Sequence, residues 1–204
     1  MHWEMKHRNC LVLLDYWRTL RGRGSVPDQN DIRPQALKAI LPHVFILDNS
    51  DRAGPVFRLA GTAVCEQFGF ELRGAPFLSY WEAQCQPLVA SMLRNARNAL
   101  EPVCLYSIAT HAGGGWGEFE TALAPLAHDG KAGVRFIGVM QPVAHVPRLR
   151  YGGIVSQRLV VSEVACVPPK PDVIESRAVP QPPSSIRLAF LRLSTLLAAD
   201  RSRA

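Results

Sequence analysis

Residues 7–22 carry apolar side chains at the spacing of one face of an α-helix. The glycines at 22 and 24 end the pattern. Two interpretations are open, because the helix could pack on its own domain or bury its apolar stripe against a second copy of the chain. The second interpretation predicts a homodimer whose interface consists of Cys10, Leu13, Leu14, Trp17 and Leu20.

From residue 43 onward the apolar positions change to a period of two, which is typical of β-strands. A polar segment at 49–55 and glycines at 113–115 and 130 mark tight turns between strands. The alternation predicts strands over residues 43–48, 56–60, 102–111, 116–127 and 133–143.

Helical patterns occupy the interval between the second and third predicted strands. We expect short helices over 62–68 and near 77–81, and a longer helix over 84–99; another short helix is predicted at 34–41. Two strands, several helices and three hairpin-connected strands indicate an α+β fold. The predicted architecture is a five-stranded antiparallel sheet with short helices on one face, an N-terminal helical arm and a C-terminal extension.

The chain divides into four predicted parts. Residues 1–33 form the helical arm and a loop, and 34–146 form the main domain. Residues 147–183 form an extended linker with six prolines between 168 and 183, although an apolar run within 151–167 could add a strand. Residues 184–204 form a basic C-terminal helix whose apolar stripe consists of Ile186, Phe190, Leu193 and Leu197.

The amino-acid composition indicates a globular protein of a reducing compartment. With 48% hydrophobic and 20% charged residues, the chain resembles an ordinary globular protein. We find neither an apolar run of membrane-spanning length nor a secretory signal at the N-terminus. Five widely spaced cysteines without a C-x-x-C pair indicate a reducing compartment, hence the cytoplasm.

The net charge of +6 is unevenly distributed. Residues 1–145 contribute +1, whereas residues 146–204 contribute +5. A nucleic-acid-binding domain more often carries its positive charge on the folded core. We therefore expect no nucleic-acid partner.

Several local motifs resemble those of single-domain PAS proteins of alphaproteobacteria. They include Trp17-Arg18-Thr19-Leu20-Arg21-Gly22, Asp31-Ile32-Arg33-Pro34, Phe57-Arg58-Leu59-Ala60-Gly61-Thr62, Glu71-Leu72-Arg73-Gly74 and Trp81. The resemblance is specific over residues 16–81, topological over 82–143, and absent over 168–204. It implies a PAS fold and a cytoplasmic signalling regulator that contacts other proteins, with motility or cell-cycle control as the family-level expectation.

We recognise no catalytic arrangement of residues in the sequence, and we predict that the protein is not an enzyme. Its six histidines are scattered without metal-ligand spacing, so no metal site is predicted. The glycine-rich segment 113–117 precedes a strand, whereas a phosphate loop needs a following helix N-terminus. It is therefore a hairpin turn.

No cofactor is predicted. Flavin photosensors of the PAS fold carry a reactive cysteine in an Asn-Cys-Arg-Phe motif, which this chain lacks; Cys65 stands in Val64-Cys65-Glu66 instead. Haem-binding relatives place an axial histidine on the long helix, and residues 84–99 contain none.

A small apolar ligand between the sheet and the helices is the alternative function. The same side chains could equally form a fully packed core. The predicted lining consists of Phe57, Cys65, Phe68, Phe77, Trp81, Met92, Leu105, Leu123 and Met140.

The C-terminal helix suggests a further contact. Its apolar stripe and arginines suit an anionic membrane surface, a groove on a partner protein or the chain's own domain. The sequence identifies neither the signal nor the signalling partner.

Overall fold

The computed structural model describes residues 5, 7–21, 26–50, 54–144 and 152–164, and the side chains of 144 and 161–164 are not described. The predicted helix at 184–204 and most of the predicted linker lie outside this part of the chain.

A single antiparallel sheet of six strands, in the order β2-β1-β5-β4-β3-β6, forms the centre of the described structure. Five of the strands confirm the sequence prediction within two residues at each end. The strands are β1 (Val44–Asp48), β2 (Val56–Ala60), β3 (Val103–His111), β4 (Trp116–His128), β5 (Lys131–Ala144) and β6 (Ile154–Val164).

The sixth strand corrects the predicted count of five and the predicted linker. β6 pairs with β3 from Val103↔Val164 to His111↔Ile154. Without it, β3 would expose a full row of unpaired backbone groups at the sheet edge. The apolar run within 151–167 therefore adds a strand to the sheet, which is the alternative that the sequence analysis left open.

Within the described residues, three α-helices accompany the sheet: α1 (Arg8–Arg21), α2 (Thr62–Phe68) and α3 (Gln86–Ala99). The predicted helix over 34–41 is wrong. Pro34–Leu37 and Leu41–His43 are separate 3-10 turns, because the backbone N–H groups of Lys38, Ile40 and His43 bond to the carbonyl three residues earlier rather than four. Two further 3-10 turns are Gln29–Asp31 and Phe77–Tyr80.

Alternating side chains of the strands point to opposite faces, and both faces are covered. On β1, Phe45 and Leu47 join the core under α2 and α3, whereas Val44 and Ile46 join the core under α1. We call the face under α2 and α3 the inner face and the face under α1 the outer face. The prediction of helices on one face therefore holds for the short helices, but α1 packs on the opposite face.

Small side chains on the outer face allow α1 to approach the sheet closely. Cys104, Ala122 and Ala124 are fully buried in the same cluster as the α1 stripe. Trp17 fixes the helix, because its Nε1–H donates to the backbone oxygen of Pro125 at 2.7 Å.

The predicted dimer stripe is accordingly covered by the chain's own sheet. Cys10, Leu13, Leu14 and Trp17 are at most 1% exposed, and Leu20 packs against the same cluster. This placement corresponds to the other interpretation of the stripe, packing on its own domain. These four side chains are unavailable to a second copy while α1 is docked.

Candidate functional site

All nine predicted lining residues meet on the inner face. Eight belong to the buried inner cluster, and Cys65 packs partly against it. They come from five places in the fold: β2, α2, the turn at 77–81, α3 and the inner face of β3, β4 and β5. The sequence thus identified a set of neighbours from residues as distant as 57 and 140.

Aromatic rings fill the part of the inner face near β1 and β2. The centroid of Phe57 lies 5.6 Å from that of Phe77 and 6.5 Å from that of Phe68. Phe45 stands 5.5 Å from Phe57 and covers Gly138 on the neighbouring strand, where a Cβ would lie 2.3 Å from Phe45 Cζ. These distances are those of rings in contact, so the predicted lining side chains largely pack against one another.

Polar groups occupy the other half of the inner face, towards β6. The Ser107 hydroxyl lies 3.2 Å from Gln157 Oε1, and both residues are at most 2% exposed. Two further buried polar atoms have no hydrogen-bond partner among the described groups, namely Trp81 Nε1 and His111 Nε2, whereas His111 Nδ1 lies 3.2 Å from the backbone oxygen of Gly152. A buried polar group without a hydrogen bond is costly, which marks this region as chemically distinct from the aromatic half.

The predicted lining left out three of these polar residues. Ser107 and His111 stand in phase with Leu105 and Ala109, so the alternation on β3 places them on the buried face. Gln157 was missed because β6 was assigned to the linker. A polar residue at an inward position of a strand is the signal that would have found the first two.

Cys65 lies at the edge of this site. Its thiol is 3.9 Å from the backbone oxygen of Ala60 and 3.6 Å from a carboxylate oxygen of Glu71. Burial raises the pKa of the Cys65 thiol, and the charge of Glu71 acts in the same direction. The neutral thiol is therefore favoured over the nucleophilic thiolate.

A group of ionisable side chains surrounds the start of α1 on the outer face. The Glu120 carboxylate is 1% exposed and accepts the backbone N–H of His7 at 2.7 Å. Burial lowers the pKa of His7 despite the attraction of Glu120. Burial also lowers the pKa of His43, and the nearby His7 lowers it further. These groups hold the first turn of α1 against β4.

Three further polar contacts anchor the outer face. The Tyr106 hydroxyl donates to Glu118, and burial together with this contact raises the pKa of Tyr106 to about 12. Buried Arg135 donates to Gln29 and to Asp48. Although burial alone would raise the pKa of Asp48, its contacts with Ser50 and Arg135 lower it.

The outer face of β3 and the edge strand β6 are less covered than the part under α1. Along β3, Cys104 is fully buried, Ile108 is half-buried and Thr110 is exposed. Trp116, opposite Thr110, is 47% exposed, and the β6 side chains Val155 and Val160 are 52% and 47% exposed. We call Ile108, Thr110, Trp116, Val155 and Val160 the open strip.

Among the described residues, no group of three His, Cys, Asp or Glu side chains is placed to bind a metal ion. Within the same ranges, none of the helices combines the length and apolar character that a membrane crossing requires.

Solved structures similar to this chain include other PAS and light-oxygen-voltage domains. A light-oxygen-voltage domain studied with a flavin analogue shares 17% identity, with a TM-score of 0.44 over 54% of this chain and 83% of that one. The light-oxygen-voltage protein of Rhodobacter sphaeroides shares 13%, with a TM-score of 0.42 over 52% and 64%. A PAS domain from Colwellia psychrerythraea shares 14%, with a TM-score of 0.42 over 54% and 95%.

No curated protein matches the chain. The model of the PAS domain family matches residues 5–141, which is more than half of the sequence and includes α1. Together with the antiparallel sheet and its inner-face helices, this match shows that the chain belongs to the PAS domain family.

Proposed function

We propose that the protein is a non-enzymatic, cytoplasmic signalling regulator whose output is contact with another protein through the open strip. Membership of the PAS family supports a role in signalling or sensing. The resemblance to alphaproteobacterial single-domain PAS proteins adds motility or cell-cycle control as the proposed process.

The observation that carries this proposal is the exposure of Trp116. Monomeric surfaces tolerate single exposed apolar side chains, but several of them on adjacent strands of one sheet mark interaction sites. Trp116 is about half exposed, and Val155 and Val160 on β6 are similarly exposed. Aromatic residues at such positions are common energetic anchors of protein interfaces.

The width of the open strip supports one kind of partner. β3 and β6 together span about 10 Å, given a strand spacing of about 4.8 Å. One α-helix is about 10 Å in diameter. We therefore propose that the partner presents one amphipathic helix whose apolar stripe contacts Trp116, as in helix-in-groove recognition.

Affinity purification from the host followed by binding measurements with purified components tests this function. Trp116→Glu should weaken binding of the purified partner by roughly tenfold or more, because it removes an apolar anchor and buries a charge. Leu88→Glu is the matched control, since Leu88 is 54% exposed on α3, away from the strip. Equal binding of the Trp116 variant and wild type would contradict the proposal.

Small-molecule sensing is a second candidate, favoured by the unpartnered buried atoms Trp81 Nε1 and His111 Nε2 on the inner face. A ligand that enters this region would need a hydrogen-bond acceptor for Trp81 Nε1, a donor for His111 Nε2, since Nδ1 faces the Gly152 oxygen, and an apolar body for the adjoining rings. The ligand would have to displace side chains, because the rings near Phe57 already touch.

Native mass spectrometry of protein purified from its host tests this candidate. We expect a mass above that of the bare chain for wild type. Trp81→Phe should reduce the bound fraction, since it keeps an aromatic ring and removes the donor. Phe70→Leu, at a 49% exposed site, is the control. Wild-type protein with only the bare mass would count against a ligand.

A further inference from the structure

We infer that residues 186–199 of this chain dock as a helix on its own open strip and so exclude the partner helix. The docking site is the one named under the proposed function, and the regulatory consequence rests on that function. The docking itself concerns this chain alone and is tested without any partner.

The first support is the width of the outer face that α1 leaves uncovered. α1 packs against β4 and β5 on this face. Beyond β4, towards the β6 edge of the sheet, the outer face of β3 and β6 is as wide as one further helix. A helix laid beside α1 would continue the outer layer.

The second support is the match between the tail and α1. The segment 186–199 has 14 residues, as α1 has. Its stripe of Ile186, Phe190, Leu193 and Leu197 repeats every three to four residues, which is the spacing of one helix face. The α1 stripe has the same kind of spacing and is buried against this same face.

The reach of the chain allows the contact within one molecule. β6 ends at Val164, and 21 residues separate it from Ile186. An extended segment of that length spans up to about 70 Å. A compact domain of this size has a radius of gyration of only about 14 Å, so the tail can return to either end of β6.

Apolar contact rather than charge selects the site. Glu118 is half-buried near Trp116 and could face Arg187 or Arg192 of the tail. However, exposed Arg158 lies on β6 opposite Ile108 and disfavours the same basic segment. Trp116 and Val160 must therefore supply most of the attraction, which makes the contact sensitive to substitutions on the apolar stripe.

Site-specific photo-crosslinking in the purified full chain tests the inference. A benzophenone amino acid placed at position 116 keeps an aromatic side chain on the strip, and the same probe at Leu88 on α3 is the positional control. We expect an intramolecular cross-link from 116 to a peptide within 186–199, and none to that peptide from 88.

Substitutions in the tail provide the matched comparison. Phe190→Asp with Leu193→Asp should reduce the cross-link yield by roughly tenfold or more, because two apolar anchors are lost. Leu188→Asp, off the stripe, should leave the yield unchanged. A cross-link confined to a covalent dimer would assign the strip to a second copy and overturn the inference.

A cross-link from 116 to residues 1–6, or no cross-link to the tail, would also overturn it. Neither result would bear on the proposed function, since binding of the purified partner to the Trp116 variant is measured separately. Conversely, a cross-link to 186–199 together with unchanged partner binding by the Trp116 variant would retain the docking and remove its regulatory role.

Discussion

The two faces of the sheet are covered by different kinds of packing. The inner face is covered by short helices and large rings, with Phe45 lying over Gly138. The outer face presents small side chains such as Ala122 and Ala124 to one long helix. Unpartnered buried polar atoms occur on both faces, Trp81 Nε1 on the inner one and Gln141 Nε2 on the outer one, but only the outer face ends in exposed apolar side chains. Sensing and protein contact therefore have different candidate locations on one sheet.

This contrast shows that the sequence of a strand with two buried faces does not indicate which helix covers each face. β1 is apolar at every position from 44 to 47 because both its faces are buried. Its odd-numbered residues meet the rings, and its even-numbered residues meet α1. The covering helix, not the strand, determines whether a face is closed or available.

The largest expected effect comes from removing the anchor of α1. Trp17→Ala should lower the free energy of unfolding by about 3–5 kcal/mol, because it leaves a cavity and an unpaired backbone oxygen at Pro125. Chemical denaturation measures the change. Val12→Ala on the same helix, at a 36% exposed site, should change it by less than about 0.5 kcal/mol. Equal effects of the two variants would show that α1 does not pack as described.

A smaller effect is expected where the inner rings approach the sheet. Gly138→Ala should destabilise the fold by about 1–3 kcal/mol, since its Cβ would collide with the Phe45 ring. Phe45→Leu removes the ring, so the double variant should lose less stability than the two single variants combined. Thermal or urea denaturation of the four proteins measures the coupling, and strictly additive losses would contradict the contact.

The smallest effect concerns pH at the start of α1. The pKa of His43 is lowered in the folded state by burial and by His7, so the unfolded chain binds the proton more readily. Stability should therefore be complete above the unfolded pKa of about 6.5 and decrease as the pH falls through and below it.

Urea denaturation of His43→Gln and wild type, at about pH 7.5 and about pH 5.5, measures this dependence. The variant should lose less stability between the two values than wild type loses. Part of the dependence should persist, because the pKa of His7 is lowered as well. An identical pH dependence in both proteins would exclude a contribution from His43.

Local periodicity predicted the strands and the two long helices because their apolar spacing is set by the elements themselves. It failed at residues 34–43, where backbone hydrogen bonds between residues three apart form two 3-10 turns in place of the predicted α-helix. It could not decide the partner of the Trp17 stripe, since a helix face is equally apolar against its own sheet or a second copy. The small residues at 122 and 124 indicate where α1 packs only once they are known to lie on the same face of the sheet.

The nine inner-face residues were predictable as neighbours because each is apolar and in phase with its element. Their packing against one another was not, because ring-to-ring distances depend on how strands and short helices meet. The polar half was left out of the predicted lining because only apolar positions were considered, so Ser107 was not included although it is buried on a predicted strand. The strand within 151–167 was left as an open alternative, because nothing local to that apolar run shows that it pairs with β3.

Thiol labelling of the native protein tests the division of the sheet most directly. Cys10 on α1 and Cys104 on β3 are both fully buried between α1 and the outer face, whereas Cys65 is half-buried at the edge of the inner cluster. With peptide-resolved mass spectrometry, we expect Cys65 to react before Cys10 and Cys104, which should remain protected until the domain unfolds. Labelling of Cys10 and Cys104 as fast as Cys65 under native conditions would contradict the covered outer face.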